Sequence, residues 1–144
     1  FKLTEGANNG IKYGIGNNGP HTGLEYQILD DEKHPDAKQG VVGNRTMSSL
    51  YDLIPSTKEK RFTKGIGEWN RGRIVVYKNG TVQHWLNGRK VVEYERGSAI
   101  YNALVARSKY ANYEGFGMAE KGPVLLQDHG DNVKFKSIKI KELD

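Results

Sequence analysis

Acid–base chemistry in this 144-residue chain rests on its carboxylates and four histidines, because Cys is absent. That absence removes disulfides, thiolate metal sites and cysteine nucleophiles together, and leaves the redox compartment open. Glu25 and Gln27 lie in Leu24-Glu-Tyr-Gln-Ile-Leu-Asp30, where Leu24, Tyr26 and Ile28 alternate with them. Successive strand side chains point to opposite faces, so Glu25 and Gln27 share a polar face while their neighbours enter a core. A carboxylate there either lines a groove or stands on a solvated sheet. A solvated face more often carries Lys or Thr, which favours the groove. His129 follows a strand in Leu126-Gln-Asp-His-Gly130, between Asp128 and Asp131. An imidazole exchanges protons near neutral pH. The two carboxylates either orient it or share a divalent cation with it, the one cofactor these residue types leave open; the plainer reading is a turn histidine bonded to a backbone carbonyl.

Other candidates are placed by the same alternation. His84, in step with Val82 and Leu86, points into the core as a hydrogen-bonded histidine. Trp85 then faces the other way with Gln83 and Asn87, an aromatic surface on a polar face. The expected site therefore gathers Glu25, Gln27 and Trp85 on one surface, with His129 at its rim and Asp128 beside it. Of Tyr51 and Asp52, neighbours on one apparent strand, one reaches that surface; Asp52 is carried as a substrate-binding candidate. His34 lies in a long loop before Pro35, either swinging over the groove or simply exposed. Trp69 reads as core or rim packing. Glu25 with Glu68 or Asp52 is also compatible with a paired-carboxylate glycosidase, whose two groups would need a defined separation. There is no Gly-x-Ser-x-Gly elbow, no phosphate-cradling Gly-Lys-Ser/Thr, and no pair of histidines at i, i+4.

The elements that must position these residues read as strands. Apolar residues recur with a period near two almost throughout, and Gly supplies 18 of 144 positions, a turn-rich β composition. Asn79-Gly80 and Asn87-Gly88 separate three alternating runs and suit type I′ turns, so 74–78, 81–86 and 90–94 are expected to form a meander. Further strands are expected at 23–30, 50–54 and 123–128. Another is expected at 133–140, where the apolar phase shifts from Val133 and Phe135 to Ile138 and Ile140 and implies a β-bulge near Lys136-Ser137. One helix is expected after the N-cap Ser98, with Ile100, Ala103, Leu104 and Arg107 at helical spacing. Residues 30–48 have no period and form a long loop.

Charge and hydropathy exclude broad classes. Twenty-two Lys and Arg against 17 Asp and Glu give +5, but the cations are dispersed singly, which argues against nucleic acid as the partner. No apolar run approaches the roughly 18–20 residues of a membrane-spanning helix. The aromatic content argues against disorder. Oligomeric state is not legible.

Six motifs in order carry a family resemblance: Leu-Glu-Tyr-Gln-Ile-Leu-Asp-Asp at 24–31, Leu-Tyr-Asp-Leu-Ile-Pro at 50–55, Gly-Glu-Trp-Asn at 67–70, His-Trp-Leu-Asn-Gly at 84–88, Leu-Gln-Asp-His-Gly at 126–130 and Ile-Lys-Ile-Lys-Glu-Leu at 138–143. Together they resemble the 3-keto-disaccharide hydrolase family, formerly a domain of unknown function. The resemblance implies an all-β, concanavalin A-like jelly-roll β-sandwich with one short helix and a carbohydrate-facing groove. It also implies that residues 1–144 are a single jelly-roll domain forming the C-terminal part of a longer domain or protein, because the family's N-terminal strands are missing before Phe1. An oligosaccharide or 3-keto-glycoside substrate and a periplasmic or secreted location are likewise expected from it. In such an enzyme a ketone at C3 of the sugar acidifies the C2 proton. A base removes that proton, the C1 glycosidic oxygen leaves by β-elimination, and water adds. The resemblance also fits a non-catalytic carbohydrate-binding module on the same scaffold. Glu25, His129 and Asp128 are the expected catalytic residues, and Gln27, His34, Asp52 and Trp85 the expected substrate-binding ones.

Overall fold

The computed structural model describes residues 1–16 and 18–143. It is a β-sandwich with one short helix. The strands are β1 (Lys2–Leu3), β2 (Asn8–Tyr13), β3 (Leu24–Leu29), β4 (Gly72–Val76), β5 (Thr81–Leu86), β6 (Arg89–Glu95), β7 (Leu125–Asp128) and β8 (Val133–Lys134), with α1 (Ala99–Ala106) between β6 and β7. Among the described residues they form sheets ordered β3-β2-β7 and β4-β5-β6 and a small β1-β8 pair, with antiparallel pairing throughout.

The two three-stranded sheets bury their facing side chains against one another. Tyr13 and Leu24 of one pack with Val82, Val92 and Tyr94 of the other, and a neighbouring cluster joins Tyr26 and Ile28 to Leu86 and Val91. His84 is fully buried between the sheets, as its alternation requires. Its Nε2 meets the Tyr13 hydroxyl at 2.6 Å, its Nδ1 lies 3.1 Å from the Ser48 carbonyl, and Tyr13 in turn meets the Tyr94 hydroxyl at 2.9 Å. Burial holds the His84 pKa down, from 6.5 to about 4, against the upward pull of its backbone partners Ser48 and Ser49.

The meander forms as expected, through two different turns. Asn87 and Gly88 both have positive φ (49° and 83°), the requirement of a type I′ turn. At Asn79-Gly80 only Gly80 has positive φ. The Gly80 N–H donates to the Tyr77 carbonyl and the Tyr77 N–H to the Thr81 carbonyl, so this hairpin closes through a longer loop ending on a left-handed glycine. The Ser98 Oγ accepts from the Tyr101 N–H at 3.2 Å and caps α1. The helix packs through Tyr101, Leu104 and Val105, whereas Ile100 is 75% exposed, so its buried stripe is rotated from the expected one.

Two expected strands are corrected. Residues 50–54 fold into a tight turn, in which Leu50 and Ile54 exchange backbone hydrogen bonds and Asp52 takes φ +63°. Only the leading part of this segment lies along β3, through Ser48 N–H to the Gln27 carbonyl, Gln27 N–H to the Ser49 carbonyl and Tyr51 N–H to the Glu25 carbonyl. The expected strand at 133–140 pairs only at Val133 and Lys134, with Leu3 and Lys2. Ser137 adopts φ +54°, and Ile138 and Ile140 beyond it are exposed. The register shift lies instead between β5 and β6: His84 pairs with Val92 and Trp85 with Lys90, so Val91 is the extra residue. This lets consecutive Val91 and Val92 both enter the core, one in each cluster.

Candidate active site

The face of β3-β2-β7 turned away from the second sheet carries a row of polar side chains. The β2–β3 register sets Lys12 opposite Glu25 and Gly10 opposite Gln27, and the β2–β7 register sets Gly10 opposite Gln127. These residues, with Asn8 two places before Gly10, therefore share a face. Glycine at position 10 leaves the space that the Glu25 side chain fills across the strand; a Cβ there would force that carboxylate to move. The Glu25 carboxylate sits 3.6 Å from the Lys12 ammonium, which also donates to the His21 carbonyl at 3.0 Å.

Loops close this face into a small cleft of about 60 Å³, lined by Asn8, Glu25, Gln27, Tyr51, Lys109, Gln127 and His129. Tyr51 comes from the tight turn beside β3, and its hydroxyl donates to Asp36 Oδ2 at 2.9 Å. Burial and the Asp36 carboxylate push its pKa up, so the phenol stays protonated. Lys109 comes from the turn after α1 and lies 4.4 Å from the Tyr51 ring centroid and 5.2 Å from that of Tyr110. Asp52 is the brace behind both residues. Its Oδ2 accepts the Lys109 backbone N–H at 2.9 Å and its Oδ1 the Arg45 Nε at 2.7 Å, while Arg45 Nη1 reaches Asp36 at 2.9 Å. A partly buried network of this kind, with its partners satisfied, holds a rigid geometry.

The cleft is electrostatically primed. Burial raises the Glu25 pKa from 4.5 to about 6, with Lys12 and Lys109 offsetting part of the rise. Burial lowers the Lys109 pKa, and Glu25 pulls it back up. Two groups of opposite ordinary range are thus both drawn toward neutrality in one cleft, a pattern that marks acid–base sites. Three amide oxygens, of Asn8, Gln27 and Gln127, are buried without a hydrogen-bond partner, and all three residues line the cleft. Native proteins rarely leave such acceptors unmatched, and here they are grouped where hydroxyl donors of a ligand would meet them.

The expected site is therefore partly assembled. Glu25, Gln27 and His129 meet in the cleft, His129 exposed at its rim. Four expected members do not join them. Asp128 pairs with Asn9, one step out of phase with Gln127, so it faces the other side of its sheet, and its Oδ1 accepts the Gly130 N–H at 2.7 Å. Asp52 supports the cleft from behind. His34 caps the Pro35–Lys38 turn, its Nδ1 accepting the Asp36 N–H at 3.1 Å. Trp85 does face away from His84, but on the second sheet; its outward side is thus the opposite outer face of the sandwich, where it lines a separate cavity. Trp69 is a rim residue with the Lys2 and Lys136 ammonium groups over its ring. Among the described residues no three His, Asp or Glu side chains are gathered to hold a metal ion. The Asp131 carboxylate is occupied by the Asn8 N–H at 2.9 Å.

Of Tyr51 and Asp52 it is Tyr51 that reaches the cleft, and sequence reasoning missed Lys12, Asn8, Lys109 and Gln127. Lys12 and Asn8 were accessible in principle, since pairing the run 8–13 with 24–29 puts them beside Glu25. Lys109 carries no sequence signal, because its place follows from a contact with Asp52, 57 residues away.

Fold and site together define an all-β sandwich with a polar, acid–base cleft on one outer sheet face. Residues 1–141 match the 3-keto-alpha-glucoside-1,2-lyase-like domain, and the chain belongs to that family. It is similar to a 3-keto-disaccharide hydrolase of Bacteroides thetaiotaomicron, with 39% identity over 137 residues, covering 83% of this chain and 44% of that protein. The chain thus spans less than half the length of this curated relative. Its structure resembles that of a candidate glycosyl hydrolase of Parabacteroides distasonis, with a TM-score of 0.75 and 28% identity, covering 90% of this chain and 61% of the other. A second candidate glycosyl hydrolase of that organism matches with a TM-score of 0.53 and 27% identity, over 65% of this chain and 47% of its own.

Proposed function

We propose that this protein cleaves glycosidic bonds of 3-keto sugars, with Glu25 as the base. The observation that carries the reading is a buried carboxylate raised to about pH 6 that shares its cleft with a lysine and three unpartnered amide oxygens. At neutral pH Glu25 is ionised yet more basic than an ordinary carboxylate, as removal of a carbon-bound proton requires. It takes the C2 proton; the electron pair becomes an enolate with its charge on the C3 oxygen, and the Lys109 ammonium is the cation available to stabilise it. The C1 glycosidic oxygen then leaves with the C1–C2 double bond forming, and His129 at the open rim supplies its proton. Addition of water across that bond completes net hydrolysis. Asn8, Gln27 and Gln127 accept hydrogen bonds from the sugar hydroxyls. The family resemblance also supports a periplasmic or secreted location, which cell fractionation tests.

Turnover of a 3-keto-glucoside, compared with its unoxidised parent, tests the activity. Turnover of the keto sugar alone is expected. Binding without turnover selects a carbohydrate-binding module instead, and neither binding nor turnover overturns both.

A further inference from the structure

Lys109 is held at its backbone and at its ammonium group, and both holds lead to one side chain outside the cleft. Its backbone N–H donates to Asp52 Oδ2 at 2.9 Å, and its ammonium lies 4.4 Å from the centroid of the Tyr51 ring. Asp52 is fastened through its other oxygen, Oδ1, which accepts Arg45 Nε at 2.7 Å. Tyr51 is fastened through its hydroxyl, which donates to Asp36 Oδ2, and Asp36 Oδ1 accepts Arg45 Nη1 at 2.9 Å. The Arg45 carbonyl also accepts Gln27 Nε2 at 3.4 Å, so the residue abuts the β3 side of the cleft as well.

The arrangement uses the shape of arginine as well as its charge. A guanidinium presents its N–H groups in a rigid plane, so Nε and Nη1 serve two carboxylates from fixed positions. Those carboxylates come from separate segments, Asp36 from the Pro35–Lys38 turn and Asp52 from the 50–54 turn. The three side chains are 19% (Arg45), 16% (Asp36) and 7% (Asp52) exposed, so solvent screens their pairing only in part. Asp52 sits at φ +63°, where few residues other than glycine are found, and its carboxylate is bonded at both oxygens. An ammonium is a single point donor. It cannot stand in the places of Nε and Nη1 together, so a lysine at position 45 gives up one branch, and Lys109 loses an anchor.

Resting on the reading of Glu25 as the base, we propose that Arg45 is a positioning residue: through Asp52 and Asp36 it fixes Lys109 against Glu25 and so sets the charge balance of the cleft.

The charged groups that act on Glu25 are Lys12 from β2 and Lys109, which hold its pKa down, and Asp36, which pushes it up by less than Lys109 lowers it. Tyr51 and His129 complete the titratable groups lining the cleft. Arg45→Lys keeps every one of these charges and changes only the geometry. The carbon-13 resonance of the Glu25 carboxyl, assigned with Glu25→Gln, reads the outcome without turnover. In Arg45→Lys this carboxyl is expected to titrate at least about 0.5 higher than in the wild type, with the acid limb of the kcat/KM–pH profile moving alongside it. The kcat for the 3-keto-glucoside is expected to fall by about 10–10², with KM changing less than about threefold. In a Lys109→Met background Arg45→Lys is expected to add no further change, because the two act through one group. Tyr51→Phe cuts only the Asp36 branch and keeps the ring, so it carries the same test, with a smaller displacement in the same direction, should Arg45→Lys not fold. A Glu25 titration that Arg45→Lys leaves in place, or additive effects with Lys109→Met, overturns the proposal alone. A wild-type carboxyl that titrates near 4.5 overturns it together with the reading of Glu25 as the base. The expected displacement in a protein without turnover keeps the positioning role and overturns the catalytic reading alone.

Discussion

Replacing Glu25 by Gln should remove activity and, at neutral pH, raise stability. Folding moves the Glu25 pKa from 4.5 to about 6, mainly through burial. A carboxyl whose pKa is raised on folding contributes stability below its unfolded value and loses it as pH rises through the folded one. The ionised form therefore costs about 1.5 × 1.36, or about 2 kcal/mol, at pH 7.5. Gln has the shape of the protonated acid and no charge to bury, so Glu25→Gln should be more stable than the wild type by about 2 kcal/mol at pH 7.5, by about 1 kcal/mol at pH 5 and by almost nothing at pH 4. Each kcal/mol corresponds to about 3–4 °C in a chain of this size, so the melting temperature should rise by about 6–8 °C at pH 7.5. Turnover of the 3-keto-glucoside should fall by about 10²–10⁴. Differential scanning calorimetry of both proteins from pH 4 to 8 reads the difference directly, because every other titrating group is common to the two. A variant less stable than the wild type at pH 7.5, or a difference independent of pH, would show that the carboxylate is not buried at a cost and would remove the basis for calling it the base.

Three further outcomes follow from the same geometry. Lys109→Met keeps the aliphatic stem but loses the charge, so turnover should fall by about 10²–10³; because Lys109 also lowers the Glu25 pKa, the acid limb of the kcat/KM–pH profile should move above pH 6. Gly10→Ala should push the Glu25 carboxylate aside and cut kcat by about 10², and the same profile should show a displaced acid limb; full activity would mean the carboxylate does not need its place across β2. His84, with its pKa lowered on folding from 6.5 to about 4, contributes stability that is intact above pH 6.5 and is lost as pH falls toward 4. The loss amounts to about 2 kcal/mol by pH 5, measurable by urea denaturation as a shift in midpoint.

What the sequence disclosed about the site is set by the reach of each signal. Alternation within one strand is local, and it placed Glu25 and Gln27 on one face, His84 in the core and Trp85 opposite His84. It does not say to which sheet a strand belongs, so Trp85 was assigned to the wrong outer face. Nor does it fix pairing register, and one step separates Gln127, beside Gly10 in the cleft, from Asp128, facing away. The turn at 50–54 looks like a strand because Leu50 and Ile54 are apolar, but Asp52 is held in the left-handed region by its bonds to Arg45 and the Lys109 N–H. Those bonds are what bring Tyr51 and Lys109 to Glu25. The helix was legible from its cap, while its buried face turned on Tyr101, whose hydroxyl bonds the Phe116 carbonyl.

Two buried groups of the sheets, Glu25 and His84, oppose one another in their effect on stability between pH 5 and 8. Acidification from pH 8 to 5 costs the fold about 2 kcal/mol through His84 and returns about 1 kcal/mol through Glu25. The wild type should thus hold a flatter stability profile over this range than either group alone would give, and Glu25→Gln should expose the full slope of His84. The two lie on opposite sides of the β3-β2-β7 sheet: His84, from β5 of the second sheet, packs against Tyr13 and Tyr26 on its inner face, and Glu25 stands beside Lys12 on its outer face. On the proposed assignment the chemistry belongs to the outer face, which leaves the inner one to be packed for stability. The outer face in turn tolerates a carboxylate held out of its ordinary range because the sandwich beneath it supplies the missing free energy.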